Sequence, residues 1–342
     1  MNVSFGSYQA LSLLSGGPRT QILNLRQSLE KMGIAVSLFD TWELVDREKI
    51  DFFHLFAANV GTYHLAREAR NQGVRLVVSP IFFTRHGTTM LSMIHLMEKA
   101  LSRIKKGIWC EHLFTSEICE WAELVIPNTK MEALFLNRGL SVPESKIVVV
   151  PNGVESRFAY AKPDLFVEKY GITDFILNVG HIGPPRKNVL GLIQALAAID
   201  RPAVIIGKVT QTPYADRCLA LAKKNKNIIV IPGLSNDSPM LASAYAACDV
   251  FALPSWYETP GIAALEAGLA GAKIVITKNG GTDEYFEDHA LYVEPNSVSS
   301  IRAAIQRALD KKKDRVLATH IMNNFLWDTI ALKTIQAYNT LA

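Results

Sequence analysis

The sequence is poor in cysteine, with four in 342 residues. Cys110, Cys119, Cys218 and Cys248 form no C-x-x-C pair, which argues against a zinc site or a disulfide framework and predicts reduced thiols. There is also no run approaching the roughly 18 apolar residues of a membrane span. The first twenty residues lack the basic start and apolar segment of a secretory signal, so a soluble, cytoplasmic protein is the expectation. Charge of either sign is not extreme: 36 Lys and Arg against 32 Asp and Glu leave +4. That balance suits anionic ligands or anionic lipid but falls well short of a nucleic-acid signature.

What is present is length and rhythm. At this length two domains are expected, because single cores stop growing near 250 to 300 residues. Short apolar β-type runs alternate with segments of helical periodicity, the pattern of parallel sheets flanked by helices, so the predicted class is α/β. Strands are predicted at Val3–Phe5, Ala35–Phe39, Phe52–Phe56, Arg75–Val78, Leu124–Ile126 and Ile147–Val150. A second set is predicted at Phe175–Val179, Val204–Gly207, Ile228–Ile231, Val250–Leu253, Lys273–Ile276 and Leu291–Val293. Helices are predicted between them, for instance at Thr20–Met32 and Met131–Arg138. The stretch PNGVESRFAYAK from Pro151 to Lys162 breaks the rhythm, giving domains of residues 1–155 and 156–325 and a terminal helix over 326–342. Ligands of such sheets bind beyond the carboxyl ends of the strands.

Four loops at those ends could receive an anion. The first, SLLSGGPRTQ, sets Ser15, Gly16 and Gly17 before a helix, where free backbone N–H groups favour phosphate; a glycine turn needed only for backbone reasons is the alternative. The second, GHIGPPRKN, places Arg186 and Lys187 before a helix starting at Asn188. Cations there oppose the helix dipole, so their position calls for an anion. The third, YETPGIAALEAG, carries Glu258 and Glu266 around Thr259, Pro260, Gly261 and Ile262; Pro260 in a first turn capped by Thr259 predicts a helix start. On a purely structural view, Glu258 there complements the helix dipole and Glu266 is a solvated charge. The fourth is KNGGTDEYFEDHALYVEP. Together they predict an extended, phosphate-bearing ligand.

In this order the motifs resemble the retaining nucleotide-sugar glycosyltransferases of family 4, also called glycosyl transferases group 1. ETPGIAALE is similar to that family's E-x7-E signature, GHIGPPRKN to its glycine and lysine phosphate loop, KIVVVPNGVESRF to its P-N-G-V stretch and GGTDEYFEDHALYVEP to its Gly-Gly-x-x-Glu segment. The resemblance implies a GT-B fold, two Rossmann-like domains facing each other across a deep cleft, with a C-terminal helix crossing back to the N-terminal domain. It implies a metal-independent hexosyltransferase without a cofactor, moving a sugar from a UDP- or GDP-sugar to a glycan or lipid-linked acceptor in surface polysaccharide or glycoconjugate biosynthesis.

Carried onto this chain, the resemblance gives Lys187 and Arg186 the donor diphosphate, met by the backbone of Gly16 and Gly17. Glu258 then contacts the sugar, Glu266 the ribose, and Thr259 and the N–H groups of Gly261 and Ile262 line the phosphate, with the base near Gly233. Lys187 and Glu258 become the catalytic pair. The chain departs from the pattern at His181, where many relatives carry Arg, and at VVSPIFF, which lacks the His many relatives have near the reacting sugar; neither His64 nor His86 inherits that role safely. Alternative readings are a sugar-nucleotide epimerase, a non-catalytic nucleotide-sugar-binding protein, and a glycosidase using the two glutamates as acid and nucleophile.

Between Thr88 and Ile108, apolar residues at Met90, Ile94, Met97, Leu101, Ile104 and Ile108 share one helical face, with Lys99, Arg103, Lys105 and Lys106 nearby. A surface helix ordinarily turns such a face inward; the alternative is peripheral contact with the anionic inner face of the membrane.

Overall fold

Runs rich in Val, Ile, Leu and Phe take up strand geometry here because the helices on both sheet faces bury them from either side. The computed structural model describes every residue except 14, 15, 105, 106, 108, 109 and 342. The chain divides into two compact units, Met1–Gly153 with Trp327–Ala342, and Val154–Leu326. Among the described residues no helix is long and apolar enough to cross a membrane.

The first unit is a parallel sheet of β1 (Asn2–Gly6), β2 (Ala35–Leu38), β3 (Phe52–Phe56), β4 (Leu76–Ser79) and β5 (Leu124–Val125), in the order β2-β1-β3-β4-β5. That is the flavodoxin-like winding. Ile147–Val150 does not form a sixth strand: Ile147 makes only an isolated bridge to Val125. β5 is two residues long, so it offers little edge to extend. The predicted helix over Met131–Arg138 is α-helical over Lys130–Leu134 and continues as a π-helix from Phe135 to Gly139.

The helix Trp327–Asn339 completes this unit's core, contributing Trp327, Ile330, Ala331 and Tyr338 to a cluster with Ile22, Leu25 and Leu29 of the helix Gly17–Lys31. Gly153 leaves room for it, since a Cβ there would lie 2.5 Å from the Trp327 ring. Tyr338 hydroxyl and Ser79 Oγ hydrogen-bond the two ring nitrogens of His54 at 2.6 and 2.9 Å. At the strand ends, buried Glu132 accepts hydrogen bonds from the N–H groups of Phe82 and Asn128, both at 2.7 Å, and so holds the loops after β4 and β5.

The second unit is a parallel sheet of β6 (Ile176–Val179), β7 (Ala203–Gly207), β8 (Ile228–Pro232), β9 (Val250–Leu253), β10 (Lys273–Thr277) and β11 (Ala290–Val293), ordered β11-β10-β9-β6-β7-β8. Counted from its own first strand, this is the Rossmann order 3-2-1-4-5-6. The winding reverses between β6 and β9, which pair side by side. The loops leaving those two strands therefore open at the one crevice the topology provides. All four cysteines are free and buried.

Burial holds the His54 imidazole neutral, with its pKa pushed down to about 3. The folded pKa lies below the ordinary 6.5, so this contribution to stability is present above pH 6.5 and is lost as pH falls toward 3. Urea unfolding between pH 7 and 4 is expected to lose about 1.4 kcal/mol per pH unit from this group below its unfolded pKa. His54→Gln, which keeps hydrogen bonding but takes no proton, should flatten that part of the profile. Equal slopes for the two proteins would remove His54 as the cause.

Candidate active site

The switch point of the second unit brings together two residues 71 positions apart. The loop after β6 runs through Gly180 to Gly183 into a short 3-10 turn, Pro185–Lys187, and the helix Val189–Leu196. Asn188 joins turn to helix in the left-handed conformation at φ 52, locked by its side chain donating to the carbonyls of Pro254 and Pro295 at 3.0 and 2.7 Å. Lys187 is thereby aimed at the loop after β9. Its Nζ lies 2.6 Å from Glu258 Oε1, and Arg186 Nη1 lies 3.7 Å from the same oxygen. The anion called for by the two cations is, in this structure, Glu258.

Glu258 is only 6% exposed. Burial works to neutralise it, but the charges of Lys187 and Arg186 and the Lys187 hydrogen bond more than offset this and hold its carboxyl below the ordinary value. Ser255 adds to this from the same turn, although its buried Oγ makes no well-formed hydrogen bond. The loop itself is clamped from both sides. Trp256 N–H donates to the Arg186 carbonyl at 2.9 Å, and Glu258 N–H to the Asn279 carbonyl at 3.0 Å. Gly280 packs so closely that a Cβ there would meet the Glu258 carbonyl oxygen at 2.2 Å.

The helix carrying Glu266 begins at Ile262 rather than Pro260. Gly261 takes φ 81 and turns the chain into the helix, so Gly261 is the N-cap and Thr259, half-buried before a cis Thr259–Pro260 bond, does not cap it. No side chain caps the first turn; Ala264 N–H donates to the Gly261 carbonyl at 2.8 Å, and the N–H groups ahead of it keep their capacity to donate. Glu266 is four residues beyond Ile262, about 6 Å along the axis. It is buried, not solvated: Oε1 accepts from Asn236 Nδ2 and Oε2 from the Tyr245 hydroxyl, both at 2.8 Å. Burial pushes its pKa up to about 7, against the two hydrogen bonds and the charge of Arg157. Arg157 in turn donates to the Asn236 carbonyl.

Gly233 follows β8 and lies where a Cβ would be 2.8 Å from the Lys208 backbone nitrogen, so the loop carrying Asn236 is pressed onto the end of β7. Gly16 and Gly17 belong to the first unit, at the start of the helix Gly17–Lys31. A Cβ on Gly16 would meet nothing within 4 Å, so packing inside the chain does not require glycine there. Ser15, from the same predicted loop, lies outside the described residues. His64 and His86 are exposed. The residues that sequence reasoning missed are Asn188, Asn236, Tyr245 and Arg157; Asn188, standing directly after two cations, is the one a local signal could have marked.

A protein-family model described as "Glycosyl transferases group 1" matches residues 166–319. Among relatives, an uncharacterized glycosyltransferase of Methanocaldococcus jannaschii is 30% identical over 251 residues, covering 67% of this chain and 62% of that protein. The UDP-Gal:alpha-D-GlcNAc-diphosphoundecaprenol alpha-1,3-galactosyltransferase of Escherichia coli is 27% identical, covering 85% of this chain and 74% of that one. Sucrose-phosphate synthase of Thermosynechococcus elongatus superposes with a TM-score of 0.79 at 18% identity over 99% of this chain and 98% of its own, and the chain has its GT-B class of fold, two Rossmann-like α/β domains.

The raised pKa of Glu266 sets a testable sign. Its stabilising proton is fully held below the unfolded value of 4.5 and is lost as pH rises through about 7. Thermal melts should therefore find Glu266→Gln gaining on the wild type by several degrees between pH 5 and 8.5. A constant difference across that range would mean that Glu266 is not a buried, proton-binding carboxyl.

Proposed function

We propose that this protein, whose residues 166–319 match the family model described as glycosyl transferases group 1, is a retaining glycosyltransferase that moves a hexose from a nucleoside diphosphate sugar to a glycan or lipid-linked acceptor. The observation that carries this reading is the convergence of Lys187 and Arg186 on one buried carboxylate at the switch point of the second sheet. Two cations fixed beside an uncapped helix start form an anion site, and a diphosphate is the anion whose charge grows as the bond to the sugar breaks. Lys187 and Arg186 would stabilise that departing group without a metal. The N–H groups of the N-cap Gly261 and of Ile262 in the first turn would add to them.

Glu258 would release Lys187 as the diphosphate enters and turn its carboxylate to the hydroxyls of the donor sugar. Glu266, reached through the helix, would receive the ribose, for which a carboxyl held by Asn236 and Tyr245 is already oriented. The base would lie against the loop at Gly233. The name of the Escherichia coli relative, a UDP-Gal-using enzyme acting on a diphosphoundecaprenol-linked sugar, supports a UDP-sugar and a lipid-linked acceptor in surface polysaccharide synthesis. A glycosidase acid and nucleophile would have no use for two cations on one of its glutamates, so the transfer reading is preferred.

A thermal-shift series with UDP, GDP and their sugars tests this directly, because a ligand bound only by the folded state raises Tm. The wild type should be stabilised by at least one diphosphate, and Lys187→Ala should abolish that shift. Glu258→Gln should keep diphosphate binding and lose about 100-fold or more in transfer, the scale of losing an interaction made in the transition state. NMR of the product bond should find the donor's anomeric configuration kept. An unshifted wild type across the series would end the donor-site reading, and an inverted product would end the retaining one.

A further inference from the structure

The helix Thr88–Ile104 is inside out. Its buried residues are Leu91 and His95, with half-buried Glu98 and Ser102 on the same side. Leu91 packs under Gly139, where a Cβ would meet Leu91 Cδ2 at 2.3 Å, and the helix Glu111–Trp121 lies on the Glu98 side. The apolar residues face out instead: Met90 49%, Met93 49%, Leu96 63%, Met97 64%, Leu101 45% and Ile104 82% exposed. At about 100° per residue these six fall within an arc of roughly 140°, while Leu91 and His95 lie on the opposite side. An ordinary surface helix turns its apolar stripe to the core, so the inward-packing expectation fails for this helix, and a contiguous exposed apolar surface needs an occupant.

Charge says which occupant. Glu98 is the sole acid in the helix sequence, and its carboxylate is used internally, accepting from His112 Nδ1 at 2.9 Å and from Leu113 N–H at 3.0 Å. The cations Lys99 and Arg103 border the apolar arc on one side, and the sequence continues into Lys105 and Lys106, which lie outside the described residues. The helix thus offers apolar surface with a positive border and no exposed carboxylate. A second copy docked by two-fold symmetry would bring the same uncompensated positive border against itself. An anionic bilayer matches both features, taking the methionines and leucines among its acyl chains and its phosphates against the cations.

We propose that the face formed by Met90, Met93, Leu96, Met97, Leu101 and Ile104 of this helix inserts into the surface of an anionic membrane. The helix lies in the interface plane and crosses nothing. The proposal stands independently of the sugar-transfer reading; if both hold, the enzyme works at the surface that carries a lipid-linked acceptor.

Flotation of the full chain with vesicles tests it, comparing phosphatidylglycerol–phosphatidylcholine mixtures with pure phosphatidylcholine at about 50 and about 500 mM salt. The wild type should float with the anionic vesicles and lose most of that binding at high salt or on the neutral lipid. Met93→Asp with Met97→Asp, both at exposed positions, should weaken binding at least ~10-fold while the protein stays folded, with only a small fall in melting temperature from the weaker helix propensity of Asp, and any nucleotide-induced shift is unchanged. Lys99→Glu with Arg103→Glu should weaken it too and reduce its salt dependence. No flotation of the wild type at low salt overturns the proposal, as does flotation that the Met93→Asp, Met97→Asp protein keeps. A dimer in sedimentation equilibrium that those same substitutions dissolve would assign the face to a second copy instead.

Discussion

A carboxylate taken almost wholly out of water has to be matched by positive charge or give up its own, and the second unit is arranged around that requirement at Glu258. Lys187 and Arg186 meet the same oxygen, and everything that could let them drift is tied down. Asn188 is held by two carbonyls, Trp256 is bonded to Arg186, and the Glu258 backbone is held by Asn279 and pressed by Gly280. Removing both cations would strand a buried charge, a loss on the order of 3 to 5 kcal/mol in comparable cases. The same rigidity suits electrostatic catalysis, in which dipoles and charges work best when they need not reorganise.

The two glutamates of the motif, with seven residues between them, are chemically opposite. Glu258 is kept charged by cations, whereas Glu266 sits among neutral donors and is pushed toward its protonated form. Environments that separate two carboxyls in this way fit them for different tasks: one acts through its charge, the other through oriented hydrogen bonds. The helix between them also sets their spacing, because a start at Ile262 brings Glu266 nearer the helix end than a start at Pro260 would.

Much of this was legible from the chain. Strand positions followed from apolar runs, since a parallel sheet buried on both faces leaves long hydrophobic signatures, and the loops after those runs pointed to Lys187 and Glu258 together. What was not legible depends on contacts between distant segments. Nothing near Glu266 announces Asn236 or Tyr245, which reach it only once β8 and the helix Pro239–Ala247 are packed, or Arg157, whose charge acts on it from beside Asn236. Thr259 looked like a cap because Thr-Pro before an apolar run usually is one; the positive φ of Gly261, invisible in a propensity argument, moved the start. Ile147–Val150 has strand composition and donates from Val148 to Val125 and from Val150 to Pro127, but its neighbour β5 is only two residues long and the pairing stays a single bridge. Periodicity identified an amphipathic helix at Thr88–Ile104, yet periodicity cannot say which way the stripe faces.

The chain enters the second unit at Val154 and leaves it at Leu326, and these two residues form a parallel bridge, with Val154 N–H bonded to the Phe325 carbonyl at 2.8 Å. Entrance and exit are thus stitched to each other. Lys187, Arg186, Glu258, Glu266 and all their named partners lie between them in one uninterrupted segment. In evolutionary terms the segment is a cassette: recombination at two adjoining points would carry the whole electrostatic arrangement to a different first unit, leaving the pairing of its ends as the seam.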